Sequence, residues 1–586
     1  MKSAVTKINK FLPYLLTILS PIITFYIFEG YTHNAFTTMK VPIQLLNYVF
    51  FEFVLFLFIF LIGKVHIALI VETVLFAFIG LANYFVLQFR SAPIMPWDIF
   101  SIKTAASVAN NFQYTLSPNA AFALLGFILL ILLESRCRID FQWNWKLRSI
   151  GTVVSCILIC GYTFYVQQPS TVSKFHMYDK LFTPTVMSKR DGTVTAFLME
   201  LQYLTVKKPD GYSKDDAKAT LDSYSTSISA TETPNIIVIM NEAFSDLEIL
   251  GDFTTNTDYM PYVHSLMKDA DNTISGHLNV SVLGGNTANT EFEFLTGNSM
   301  AFLPQGSIPY QQYISNTISS TPTYLKSLGY TTIGMHPYRA KGWDRERVYP
   351  LLGLDTSYFI NDFVNPELIR NYVSDEANYD KIIDLYEKKE SGKPLFLFNV
   401  TMQNHSSYTD SFDNFNPEVT VDGVNSQALN NYLSLIKLSD EALEELTTYF
   451  ANQNEKTILV FFGDHQPANS VVEPVWKLQG KSNDTLSEKE LNLRYKVPFI
   501  IWANYDITEE SGIETSANFL ASKVLTTAGL PLSDYDSYLT NLQQSYPVIS
   551  AIQVTDKEGN STPVADKQDE LEQYQQLQYY QLFQNR

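Results

Sequence analysis

Hydrophobic and polar positions divide this chain into two materials. Up to residue 166 the apolar residues come in long, nearly uninterrupted runs, at 11–29, 42–63, 66–89, 119–134 and 149–166. A membrane-crossing helix needs about 20 such residues, so five spans are predicted, the second and third joined tightly through Gly63-Lys64-Val65-His66. A cleaved signal peptide would account for the first run and not for the four that follow. From residue 234 the pattern changes to short apolar runs, at 235–240, 330–335, 395–401, 457–462 and 497–502, separated by amphipathic stretches such as 427–451. Short runs apolar on both faces predict buried parallel strands. Their alternation with helical stretches predicts an α/β domain with a mostly parallel central sheet and helices on both faces.

The expected organisation is therefore a polytopic helical anchor of about five spans over 1–166, a juxtamembrane connector over 167–233, an α/β domain over 234–552 and a polar tail over 553–586. The tail repeats Gln and Tyr through 573–584 and reads as a solvated helix or as disorder. Charge follows the same boundary: residues 1–170 carry a net +5 and the rest of the chain −24. Lys2, Lys7, Lys10, Lys64, Arg136, Arg138, Lys146 and Arg148 fall in alternate loops, whereas the other loops hold only Lys40, Arg90 and Lys103. Basic residues stay on the cytoplasmic side, so the amino terminus is expected in the cytoplasm and the large domain outside the cell. Cys137, Cys156 and Cys160 all lie in the anchor. The outer domain has no thiol and must be held by its own core, as fits a Gram-positive surface protein. Ala217-Lys218-Ala219 has the small-x-small form of a signal-peptidase site, which would release the outer domain after Ala219. Ser91 to Asp98, with two prolines and Trp97, reads as a loop at the outer headgroup level.

Four of the five short runs end in groups suited to catalysis: Asn241-Glu242, His336-Pro337-Tyr338-Arg339, Gln403-Asn404-His405 and Asp464-His465. In an open α/β sheet, ligands bind beyond the carboxyl ends of the strands. Glu242, Asp464 and His465 together would hold a metal by oxygen and nitrogen, which leaves Mn, Mg and Zn open. A nucleophile is available in Gly284-Gly285-Asn286-Thr287, where a glycine turn leads into a helix start and Thr287 could face a bound phosphate. The plainer reading makes Thr287 or Thr290 a helix cap.

Asn241-Glu242-Ala243-Phe244-Ser245, Gly285-Asn286-Thr287 followed by Glu291-Phe292, Trp343-Asp344-Arg345, Asn404-His405 and Gly463-Asp464-His465 occur in the order found in the lipoteichoic acid synthases. The chain resembles these polytopic phosphoglycerol transferases, whose outer domain is sulfatase-like, of the alkaline phosphatase superfamily. The resemblance implies that Glu242, Thr287, Asp464 and His465 bind a divalent metal, Mn2+ or alternatively Mg2+. It implies that Thr287 takes glycerol phosphate from phosphatidylglycerol, releasing diacylglycerol, and passes it to a hydroxyl of lipoteichoic acid, its glycolipid primer or a wall polysaccharide. Arg345 would contact the phosphoglycerol, with Trp343, His405, His336 and Tyr338 in the substrate pocket. Tyr338 and Asp344 stand where the polymerases of the family tend to have Asp and Asn, which opens the choice of substrate and acceptor. No C/S-x-P-x-R motif surrounds Thr287, so sulfatase activity is not expected. The alternatives are a phosphoethanolamine transferase or phosphodiesterase on the same fold, and a catalytically silent membrane scaffold; no nucleic-acid partner is expected.

Overall fold

A computed structural model describes residues 2–90, 93–96, 98–99, 114–136, 139, 143–178, 184–204, 206–225, 232–268, 270–304 and 307–584. Trp97, Lys103, Cys137 and Arg138 lie outside them, as does part of the Ser/Thr-rich stretch before 234. The chain separates into a helical unit that ends at Thr205 and an α/β unit that runs from Val206 to the carboxyl terminus.

The helical unit contains α1 (Lys2–Glu29), α2 (Val41–Ile62), α3 (Val65–Arg90), α4 (Pro118–Glu134) and α5 (Trp145–Val166). Among the described residues, α2, α3 and α5 are long and apolar enough to cross a membrane, and Tyr14–Glu29 and Pro118–Glu134 are shorter apolar helices. Gly63 closes α2 at φ 77°, the left-handed geometry a glycine C-cap supplies. Aromatic packing fills the interior: Phe51 stacks on Phe76 at 4.0 Å, and Tyr31 on Phe127 at 5.7 Å. Some carboxylates are buried in this interior. Glu134 accepts hydrogen bonds from Thr73 Oγ1 at 2.7 Å and from Ser20. Three short helices follow, Pro169–Phe175, Pro184–Asp191 and Thr193–Glu200.

In the α/β unit, among the described residues, eight strands form one sheet. In chain order they are β1 (Asn235–Asn241), β2 (Thr273–Asn279), β3 (Thr331–Met335), β4 (Thr356–Tyr358), β5 (Leu395–Val400), β6 (Thr457–Gly463), β7 (Lys496–Ala503) and β8 (Glu510–Ser516). Their spatial order is β8-β2-β7-β6-β1-β5-β3-β4. The central block β6-β1-β5-β3-β4 is parallel throughout, with Asn241 level with Gly463. The run at 497–502, expected to be parallel, is β7, which lies antiparallel to both neighbours. Strands β2 and β8 have no apolar run and were not expected.

Both faces of the sheet are covered. Leu397, Leu459 and Phe461 join a core with Leu433, Ile436 and Leu443 of α7 (Gln427–Ala451). On the opposite face Phe398 and Phe462 pack on Phe294 of α6 (Thr287–Thr296), at ring separations of 5.7 and 5.2 Å. Successive strand residues point to opposite faces, which is why 397 and 398 serve different cores. The helix of the tail, α8 (Gln568–Phe583), is not solvated on all sides. It buries Leu571, Tyr574 and Leu577 against Tyr538 and Leu539, and Tyr574 donates to the Gly297 carbonyl at 2.7 Å. Ala217, Lys218 and Ala219 sit inside the helix Lys214–Asp222, with Ala217 buried, so cleavage after Ala219 would require that helix to open.

Candidate active site

Three parallel strands deliver the site. Beyond β1 comes Glu242, beyond β5 the segment that carries His405, and beyond β6 the pair Asp464-His465. Gly463 lets β6 end there: a Cβ on it would come within 1.9 Å of the Phe244 carbonyl oxygen. Asp464 Oδ1 accepts from the amides of Ala243 at 2.7 Å and of His465 at 2.8 Å. That fixes the carboxylate and turns Oδ2 toward His465 Nε2, 3.2 Å away, with no hydrogen-bond donor reaching it. His465 Nδ1 lies 3.0 Å from the Gln466 carbonyl. The carbonyl can only accept, so Nδ1 turns a proton toward it and Nε2 is the nitrogen that faces the carboxylates. Glu242 Oε1 is 3.9 Å from that nitrogen.

These three buried residues each bring a ligand atom within 4.8 Å of the others. Burial, and then the charge of Asp464, hold the Glu242 carboxyl well above the usual carboxylate range. Two adjacent buried carboxylates and an imidazole nitrogen form a donor set that fits a divalent cation.

Thr287 completes the set. The turn before it holds Gly284, Gly285 and Asn286 at φ 65°, 153° and 64°, and Asn286, not Thr287, is the N-cap of α6. The plainer reading of Thr287 as a helix cap is thus replaced. It is the first helical residue, and its Oγ1 donates to Glu242 Oε2 at 3.4 Å. Thr290 is not a cap either; its hydroxyl is spent on the Asp464 carbonyl at 2.8 Å, which ties α6 to the end of β6.

Glu242, Thr287, His336, Tyr338, Trp343, Arg345, His405 and His465 line one cavity, and Asp464 lies buried behind it. His336 places Nδ1 2.9 Å from the Val400 carbonyl, and burial, followed by the charge of Arg345, holds it neutral. Burial pushes His405 down to about 4. Trp343 and Asp344 take left-handed backbone, φ 52° and 64°, just before Arg345. Arg345 is 2 % exposed, and its Nε and Nη2 grip Glu291, whose carboxylate also accepts from Tyr349 at 2.9 Å. The edge of the guanidinium expected to meet phosphate is therefore held by a carboxylate.

Sequence reasoning missed Met402 and Tyr408, which also line the cavity, and the support behind His405. Arg370 donates to the carbonyls of Gln403 at 2.6 Å and His405 at 2.8 Å, and Tyr372 packs its ring 5.5 Å from His405. No spacing pattern could have found them. Asn241 and Asn404, singled out with their neighbours, do not face the cavity; they bond each other at 2.9 Å and reach Asp375 and Ser439 behind it.

A family model described as Sulfatase matches residues 234–530, the span that contains every residue of this site. The chain belongs to the sulfatase family. Over 387 residues, 64 % of this chain, it is 30 % identical to a putative cyclic beta-1,2-glucan modification protein of Rhizobium meliloti, of whose length the match spans 58 %. It is 25 % identical over 240 residues, 40 % of this chain and 36 % of the relative, to the lipoteichoic acid synthase of Staphylococcus saprophyticus. Among solved structures, the phosphoglycerol transferase GacH of Streptococcus pyogenes shares 19 % identity at a TM-score of 0.52, covering 64 % of this chain and 95 % of that one. The integral membrane lipooligosaccharide phosphoethanolamine transferase A of Neisseria meningitidis shares 13 % at 0.52, covering 90 % and 96 %. The resemblance to lipoteichoic acid synthases read from the motifs is thereby upheld. In fold, this sulfatase-family chain has an apolar helical region followed by a mostly parallel α/β domain.

Proposed function

We propose that this protein is a metal-dependent phosphoglycerol transferase that uses phosphatidylglycerol as donor and Thr287 as nucleophile. The observation that carries the reading is the Thr287 hydroxyl, set at a helix start 3.4 Å from Glu242 Oε2 and facing a buried ligand trio. Glu242, Thr287, Asp464 and His465 would hold Mn2+, or Mg2+ in its place. When bound, the ion neutralises phosphate charge and lowers the proton affinity of the threonine hydroxyl. Thr287 Oγ1 gives up its proton and forms a bond to phosphorus, and the bond to diacylglycerol oxygen breaks, that oxygen leaving protonated. An acceptor hydroxyl then loses its proton and forms a bond to the same phosphorus while the Oγ1–phosphorus bond breaks, and Thr287 Oγ1 takes up a proton again. Two displacements replace one difficult transfer.

Thr287 opens α6, and a helix start would favour the negative charge of a phosphate bound beside it. Neutral His336 and His405 contribute hydrogen bonds without adding charge. Among the described residues lining the cavity, Glu242 is the sole carboxylate, and it is committed to the metal. A phosphoethanolamine headgroup would bring an ammonium with no anion to meet it, so the lining favours glycerol. The acceptor is a hydroxyl of lipoteichoic acid, its glycolipid primer or a wall polysaccharide; the glucan-modifying relative supports a glycan. Five spans, with basic loops cytoplasmic, would put this domain outside the cell, where the donor headgroups lie.

Purified full-length protein with labelled phosphatidylglycerol and Mn2+ tests the reading. Release of diacylglycerol by the wild type and not by Thr287→Ala is expected with Mn2+ in excess, so that weaker metal binding by the variant does not limit it. Equal release by both would overturn the nucleophile, and release from phosphatidylethanolamine alone would overturn the donor.

A further inference from the structure

At one end of the helical unit lies a cavity of roughly 710 Å³. Its level is set by two helix ends: Lys40, the N-cap of α2, and Gln167, the C-cap of α5, both line it. A cavity where two candidate spans stop sits at the depth of lipid headgroups if those helices cross a bilayer.

The lining has two chemistries. Lys40, Arg190 and His176 supply cationic or hydrogen-bonding groups, and no carboxylate lines the cavity among the described residues. Met177, Met187 and Met199 supply a deformable apolar wall. Lys40 alone would mean little, because lysines at span ends commonly reach for the interface. Arg190 changes that, since it arrives from a different segment, Pro184–Asp191, and converges on the same space. It lies over the Tyr178 ring, 5.1 Å from the centroid. Of the acids nearby, Glu29 accepts from the amide and hydroxyl of Thr193, each at 2.8 Å, Asp191 accepts from the Tyr178 amide at 2.8 Å, and Glu200, beside Met199, does not line the cavity and is pushed up to about 8 by burial.

We propose that this cavity binds the headgroup phosphate and glycerol backbone of an anionic phospholipid. Basic pockets between membrane helices take anionic headgroups through such cations, and a volume of several hundred Å³ suits a ligand of that size. A free phosphate would use the cations but leave the methionine wall without a partner. The inference rests on reading the helical unit as a membrane anchor, and does not require that the bound lipid be the one consumed at Thr287.

The experiment is lipid retention by the full chain, followed by native mass spectrometry after exchange into nanodiscs of phosphatidylcholine with or without phosphatidylglycerol. The wild type is expected to keep phosphatidylglycerol in preference to phosphatidylcholine. The exposed pair Lys40→Gln/Arg190→Gln is expected to lose about tenfold in that retention, the scale of one to two interfacial charges, whereas Lys146→Gln, at the opposite end of α5, keeps it. No preference in the wild type, full retention by the double variant, or displacement by inorganic phosphate would each overturn the proposal. Diacylglycerol release separates it from the transferase reading: a wild type that keeps the lipid without turning it over leaves this site standing and removes the other, and Thr287→Ala is expected to keep the lipid as the wild type does.

Discussion

Two clusters in this protein contain the same three residue types and behave differently. Glu242, Asp464 and His465 lie at the ends of β1 and β6, all buried; Asp246 and Glu248 follow a few residues after β1 and meet His264 of the helix Pro261–Leu266, half-exposed or exposed. In the second, His264 sits 2.9 Å from Asp258 and 3.6 Å from Asp246, which also accepts from Tyr259. Burial works against the imidazolium there, but the hydrogen bonds and charges of Asp246 and Asp258 prevail and push the His264 pKa up to about 9. That cluster carries its own cation. In the first, His465 turns Nδ1 to the Gln466 carbonyl and leaves Nε2 facing Asp464 and Glu242, with all three ligand residues buried. The difference between the clusters therefore follows from burial and from what each histidine nitrogen faces, not from residue type.

The sharpest way to break this contrast is Asp464→Asn. It removes a ligand and should abolish stoichiometric Mn2+ binding, with a loss of turnover of about a thousandfold, in keeping with the several kcal/mol a bound cation supplies. His264→Asn should leave metal content and turnover close to wild type. Metal analysis of both variants beside the wild type decides it. Retained Mn2+ in Asp464→Asn, or its loss in His264→Asn, would invert the assignment.

Next in size is the pair beside the trio. Arg345→Ala strands Glu291, which is buried with zero exposure, and losing one member of a buried ion pair costs about 3–5 kcal/mol. Denaturant unfolding should show that loss, and Arg345→Met combined with Glu291→Gln should recover much of it. If the single variant keeps stability and loses only substrate affinity, Arg345 serves the phosphate more than the fold. Smaller again is Gly463→Ala, whose Cβ would collide with the Phe244 carbonyl. Overpacking of this kind costs about 1–3 kcal/mol, and because Asp464 follows directly, metal affinity should fall with stability.

The parts of this molecule that were legible in the sequence were those where one rule acted alone. Strands β1, β5 and β6 are buried along their whole length and read as apolar runs, and their ends announced Glu242, His405, Asp464 and His465. Strand β2, Thr-Ile-Ser-Gly-His-Leu-Asn, escaped because its place depends on a close approach: a Cβ on Gly276 would be 2.0 Å from the Ile513 oxygen of β8. The antiparallel course of β7 is set by its neighbours, and its apolar run carries no direction. Helix α8 looked solvated because Gln and Tyr are polar by composition, yet the Tyr574 hydroxyl has Gly297 and Asn518 as partners and its ring is buried. Within the site, Glu291 and Arg345 were both in view, but their pairing is tertiary and no spacing encodes it.

The smallest expected effect tests the self-neutralised cluster directly. His264 titrates at about 9 in the folded protein against an ordinary value of 6.5. A folded pKa raised above the unfolded one stabilises fully below the unfolded value and loses that contribution as pH rises through the folded value. Wild-type stability should therefore decline between pH of about 6.5 and about 9 relative to His264→Gln, by about 1 kcal/mol, the upper end for a partly exposed ion pair. Thermal melts of both proteins across that window read the difference, in which other titrating groups cancel. A parallel pair of curves would mean that Asp246 and Asp258 do not hold His264 charged. Asp246, Glu248 and His264 would then be open to a cation, and the contrast with the buried trio would rest on burial alone.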